Sequence, residues 1–113
     1  MESRLIYILS RNKDVSWLNS TRENGSWLYM GNDTESRRQF ASQIIQDHFS
    51  LDTLYVVKTR NDSFETTKDD FIGEIENMIG VQEFLVWDTN FIRVVEFNID
   101  VLRCGEAQIT SNH

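Results

Sequence analysis

Asp69, Asp70, Glu74 and Glu76 stand close together in the chain, and what these carboxylates can do depends on the helix that carries them. Phe71, Ile72, Ile75, Met78 and Ile79 follow the i, i+1, i+4, i+7, i+8 pattern of a single buried stripe. The four carboxylates, with Gly73 and Asn77, fall on the side away from that stripe. No lysine stands four residues from Asp70, Glu74 or Glu76 to neutralise them within the helix. The chemistry on offer is electrostatic, because a basic partner meets carboxylates where it would otherwise meet phosphates. Gly73 costs an exposed helix position up to about 1 kcal/mol relative to Ala, and its missing side chain lets another molecule approach closely. Asp69, Asp70, Gly73, Glu74, Glu76 and Asn77 are therefore candidates for a partner-binding face, weighed against a merely solvated acidic helix. Trp17, Trp27 and Tyr29 are candidate aromatic anchors for the same partner, provided they are exposed.

Other residues suggest different chemistry. At Gly31-Asn32-Asp33-Thr34 a strand hands over to a helix, and helix N-termini attract anions. Arg37 and Arg38 follow in the first turn, where the helix dipole disfavours cations. An anion, or an acidic side chain from elsewhere in the fold, would account for them. Only one glycine stands there, without a phosphate-binding fingerprint or P-loop lysine. Asp88 ends a strand, the place where open α/β sheets gather ligands, yet Asp is also an ordinary turn residue. His48 lies on the apolar side at the end of a helix and reads as structural. Cys104, the only cysteine, reads as a small buried hydrophobe. No carboxylate or histidine spacing matches a metal motif, and neither metal nor cofactor is expected.

Composition limits the classes further. A chain of 113 residues with 40% hydrophobic and 12% aromatic content is one globular domain able to build an ordinary core. No stretch approaches the ~20 apolar residues of a membrane span, and the start of the chain lacks the pattern of a secretory signal. With a single cysteine, the expected setting is cytoplasmic. The net charge of −7 argues against direct nucleic-acid contact. Residues 1–60 hold eight Lys/Arg against seven Asp/Glu, whereas residues 61–113 hold three against eleven. The negative field thus arises in the second half, where it attracts a basic partner.

The elements that must position these residues follow from pattern and punctuation. Arg4–Ser10, with its continuous apolar run, reads as a buried strand. Residues 12–25 are either a short helix or an edge strand around Trp17, closing on the Asn24-Gly25 turn. Ser26–Met30 reads as a strand, and a helix capped by Asp33 or Thr34 runs to about Phe49. Leu54–Arg60 is a strand. A second helix starts at Thr66 or Thr67 and stops at Gly80. Glu83–Trp87, Phe91–Phe97 and Val101–Cys104 close the chain as strands joined by tight turns, and residues 106–113 form a loose polar tail. Strands joined through helices are usually parallel. The expected fold is one α/β domain over residues 1–113. Its small mixed sheet is mostly parallel at the centre (β-βαβαβ followed by antiparallel hairpin strands) and is packed by two amphipathic helices.

Together these features favour a non-catalytic acidic binding protein, an immunity or antitoxin-type inhibitor that neutralises a basic protein such as a nuclease toxin. A small-ligand domain or enzyme with its site at Gly31–Thr34 and Asp88 is one alternative. A subunit of a homo-oligomer, for instance a homodimer formed through an unprotected edge at Val101–Cys104, is another.

Overall fold

The computed structural model describes residues 1–18 and 26–108. In chain order the elements are α1 (Ser3–Arg11), β1 (Val15–Trp17), β2 (Leu28–Tyr29), α2 (Thr34–His48), β3 (Thr53–Thr59) and β4 (Asp62–Thr67). They continue with α3 (Lys68–Glu74), a 3-10 turn (Ile75–Asn77), β5 (Phe84–Asp88), β6 (Arg93–Asn98) and β7 (Val101–Ala107). The seven strands form one sheet in the order β1-β7-β6-β5-β3-β4, with β2 also pairing β7, and every pairing is antiparallel. The mostly parallel centre expected from the sequence is therefore wrong.

The reason lies in what separates the helix-joined strands. Along the ladder β2 and β3 run the same way, as do β4 and β5, so each helical connection does join strands of like direction. But β7, β6 and β5 lie between the first pair, and β3 lies between the second. Hairpin partners fill each gap, so no parallel hydrogen-bonded pair forms. The β3–β4 hairpin, turning at Arg60-Asn61, creates the second gap. Its second strand, Asp62–Thr67, lies where the sequence pattern predicts only the passage from a strand to a helix.

A second correction concerns the start of the chain. Arg4–Ser10 is not a strand but most of α1. Ser3, Ile6 and Ser10 share one helix face by their i, i+3, i+7 spacing, and Ile6 and Ser10 are buried. Leu5 and Ile8 point outward and stay exposed, so the continuous apolar run did not mean burial on two sides. Ser63 N donates to Ser3 Oγ at 2.8 Å, and Ser3 Oγ donates to the Arg60 carbonyl at 2.9 Å. These bonds seat the helix against β4 and its hairpin turn.

Helices thus cover both faces of the sheet. Leu54, Val56, Phe84, Val86, Val95, Phe97 and Leu102 pack with Ala41, Ile45, Phe71 and Ile75 of α2, α3 and the 3-10 turn. Tyr55, Val57, Trp87 and Val94, the alternate residues, pack with Ile6 and Phe91 on the α1 side. Around Trp17 the chain is an edge strand, one of the two expectations, and Asn24-Gly25 lies outside the described residues. The second helix begins at its expected cap, Thr67, whose side chain accepts from Asp70 N at 3.2 Å. It tightens into the 3-10 turn after Glu74 rather than running on to Gly80, where φ is +82°. β7 continues to Ala107, into the stretch expected to be tail. Its outer side is paired with β2 at Val101–Leu102 and with β1 at Gly105–Ala107, and Leu18 N donates to the Cys104 carbonyl between them. The unprotected edge proposed for Val101–Cys104 therefore does not exist. Among the described residues no helix is long and apolar enough to cross a membrane.

Candidate functional site

Strand alternation brings a set of aromatic and charged side chains together on the α1 side of the sheet. Leu28 and Leu102 face the other way, into the α2 core, so their neighbours Tyr29, Val101 and Arg103 face this one. On β6, Val95 and Phe97 turn inward to α2, leaving Glu96 and Asn98 beside Arg103 and Val101 in register. β1 adds Trp17, paired with Gly105.

The centre of this group is an arginine held between two indoles. The Arg103 guanidinium carbon lies 3.9 Å from the Trp17 ring centroid and 4.5 Å from that of Trp27. Its Nε donates to Glu96 Oε1 at 2.6 Å. Cation–π contacts are worth about 0.5–1 kcal/mol when exposed and about 2 when desolvated. The side chains of Arg103 and Glu96 keep only 24% and 30% of their exposure, which places these contacts between the two limits. Gly105 makes room for the arrangement. A Cβ there would lie 2.6 Å from Val15 Cγ1 and 2.7 Å from Trp17 Cε3. His48, at the end of α2, donates from Nε2 to the Gly105 carbonyl at 3.1 Å and pins β7 from behind. Burial is the main cause that lowers the His48 pKa below the usual histidine range, although this hydrogen bond opposes it. The ring is therefore the neutral, Nε2-protonated donor at pH 7.

Beside the sandwich, Trp27, Tyr29, Asn98 and Val101 line a pocket of about 630 Å³. Tyr29 remains 54% exposed. The three aromatic residues named from sequence are thus gathered on one face, where Tyr29 is exposed but Trp17 and Trp27 are half-buried. Arg103, Glu96, Asn98 and Val101 were missed, although the alternation of Glu96 and Asn98 with Val95 and Phe97 was a readable sign of their common side.

The acidic candidates lie elsewhere. Phe71 and Ile75 bury α3 and its 3-10 extension against the α2 side of the sheet, so Asp69, Asp70, Gly73, Glu74, Glu76 and Asn77 stand on the face opposite the indoles. All six are exposed. None takes part in the ion pairs found among the described residues, which are Arg38–Glu35, Lys58–Asp62 and Arg103–Glu96. A Cβ on Gly73 would meet nothing within 4 Å. One flat interface cannot use both groups.

The strand-to-helix junction is filled by the protein's own groups. Asp33 accepts from Ser36 N at 2.8 Å, so a carboxylate already sits on the α2 N-terminus, and this bond holds the Asp33 pKa below its ordinary value. Arg37 Nε donates to the Gly31 carbonyl at 2.9 Å. Arg38 pairs with Glu35 at 2.6 Å, and Glu76 adds to the field that raises the Arg38 pKa. Arg38 thus has acidic partners of the kind its place in a first helical turn called for, whereas Arg37 is held by a backbone carbonyl.

Asp88 is buried and accepts from the backbone of Ile92 at 2.8 Å and Arg93 at 3.3 Å, as a turn residue does. It closes the β5–β6 turn, whereas Met30 N, just before Gly31, donates to Asp100 O in the β6–β7 turn. These turns are at opposite ends of β6, about 17–20 Å apart for a six-residue strand, so Asp88 and Gly31–Thr34 do not form one site. Burial pushes the Cys104 thiol up to about 11, which keeps it protonated and unreactive at neutral pH. Among the described residues no group of His, Cys, Asp and Glu is placed to hold a metal.

Comparison of the chain with protein-family models, with curated proteins and with solved structures gave no match.

Proposed function

We propose that this chain is a non-catalytic acidic binding protein of the cytoplasm that docks and neutralises a basic protein, in the manner of an immunity protein or antitoxin against a nuclease toxin. The observation that carries the reading is the convergence of Trp17, Trp27, Tyr29 and Arg103 on one sheet face. Trp, Tyr and Arg are the residue types that dominate interface hot spots. Packing between indoles fixes Arg103 before any partner arrives, so less side-chain freedom is lost on association.

The acidic helix has a different part in this reading. Its unpaired carboxylates lie on the far face, where they contribute to a field that draws a basic protein in without touching it. Contact energy comes from the aromatic face, and speed of encounter from charge.

Affinity capture with the tagged chain, from lysates of its host and of neighbouring strains, tests the reading. A basic protein should be retained in one-to-one ratio at moderate salt, and adding the chain should abolish that protein's activity. Retention of no protein, or of one whose activity is untouched, contradicts it.

A further inference from the structure

The geometry points to a guanidinium group as what the pocket lined by Trp27, Tyr29, Asn98 and Val101 receives: an arginine side chain of the basic partner. The inference rests on the binding-protein reading and specifies the chemistry of its contact. Three observations support it. First, two of the residues that line the pocket, Trp27 and Tyr29, are aromatic, and aromatic faces attract cations, arginine above all. Second, the same surface already binds that chemistry within the chain, since Arg103 lies against the Trp27 ring at 4.5 Å.

Third, the described lining includes a side chain that can accept from a cation. Asn98, whose side-chain carbonyl can accept, lines it. The net charge of −7 adds a long-range field that favours a cation over an apolar side chain of equal size. A volume of about 630 Å³ accommodates a whole arginine side chain with the backbone that carries it.

The test titrates the full chain with an acetylated, amidated pentapeptide carrying two arginines, and with its citrulline twin. Citrulline keeps the length and planarity of arginine and removes the charge. Binding is followed by tryptophan emission and by NMR shifts of the Tyr29 ring. The arginine peptide should bind saturably, and the citrulline peptide roughly tenfold more weakly or not at all. Tyr29→Phe, which keeps the ring face, should bind as the wild type does, and Tyr29→Ala should lose roughly tenfold. Equal binding of the two peptides, no saturable binding of the arginine peptide, or loss of binding in Tyr29→Phe overturns the inference. If the peptide fails while a basic partner is still captured and inhibited, only this inference falls. If the peptide binds and no such partner exists, the binding-protein reading falls and the pocket chemistry stands.

Discussion

The hydroxyl of Ser10 accepts the indole N–H of Trp87 at 2.8 Å, joining α1 to a strand 77 positions away. Both residues are buried, Trp87 almost completely. Ser10→Ala leaves that N–H without an acceptor, and an orphaned buried donor costs about 1–3 kcal/mol. Urea unfolding should show a midpoint lowered by that energy divided by the slope, with the slope unchanged. An unchanged midpoint would mean that α1 does not depend on this bond.

Gly105 should be the least replaceable glycine near the candidate site. In Gly105→Ala the new Cβ meets Trp17, Val15 and the Ser16 carbonyl within 3.0 Å. Overpacking of this kind costs about 1–3 kcal/mol, and here it also lifts Trp17 from Arg103. Lower thermal stability should come with a changed tryptophan emission. Gly73→Ala, in open space on α3, should instead leave emission unchanged and stability equal or slightly higher.

His48 makes stability depend on pH. Its folded pKa lies below the ordinary value of 6.5, with burial as the main cause. The unfolded chain therefore takes up a proton first, so the stabilisation is complete above about pH 6.5 and is lost as pH falls through the folded pKa. Melting temperature should decline over that window before the exposed carboxylates titrate. His48→Gln, whose amide can still donate to Gly105, should flatten the decline. The same slope in both proteins would place its origin elsewhere.

Charge reversal on α3 separates attraction from contact. Asp70→Lys with Glu74→Lys alters two exposed side chains that make no ion pair among the described residues. Stability should fall by no more than about 1 kcal/mol, because Asp70 lies in the first turn of α3 and favours its dipole. Association with a basic partner should slow and lose part of its salt dependence, with dissociation unaltered. Faster dissociation would show that α3 is itself an interface.

How much of this was legible in the sequence can be traced element by element. The caps at Asp33 and Thr67, the stripe from Phe71 to Ile79, and the turns that separate β5, β6 and β7 are local signals, and the elements they mark are present. A run of five apolar residues, Leu5–Leu9, is compatible with either helix or strand. The inward placement of Ser3 and Ser10, seven apart, is visible only in the fold. Strand direction across α2 and α3 followed the crossover tendency, but adjacency depended on where the β3–β4 hairpin and the β5–β7 meander fitted. That is decided by packing over long sequence distances. Trp17, Trp27 and Tyr29 were identifiable as anchors by residue type. The meeting of the two indoles around Arg103 was not, because it requires β1 and the start of β2 to share one side of β7. The separation of the acidic helix from the aromatic face was hidden for the same reason.

The most direct test of the central claim, that the aromatic face holds the basic partner, is the dissociation rate of the captured partner from the wild-type chain and from Tyr29→Ala. A hot-spot residue contributes about 2 kcal/mol or more, or roughly thirtyfold in affinity, and the account places that loss in dissociation. Dissociation accelerated to that degree, with association nearly unchanged and the melting curve intact, is the predicted result. A dissociation rate equal to that of the wild type, in a variant shown to be folded, would contradict the claim.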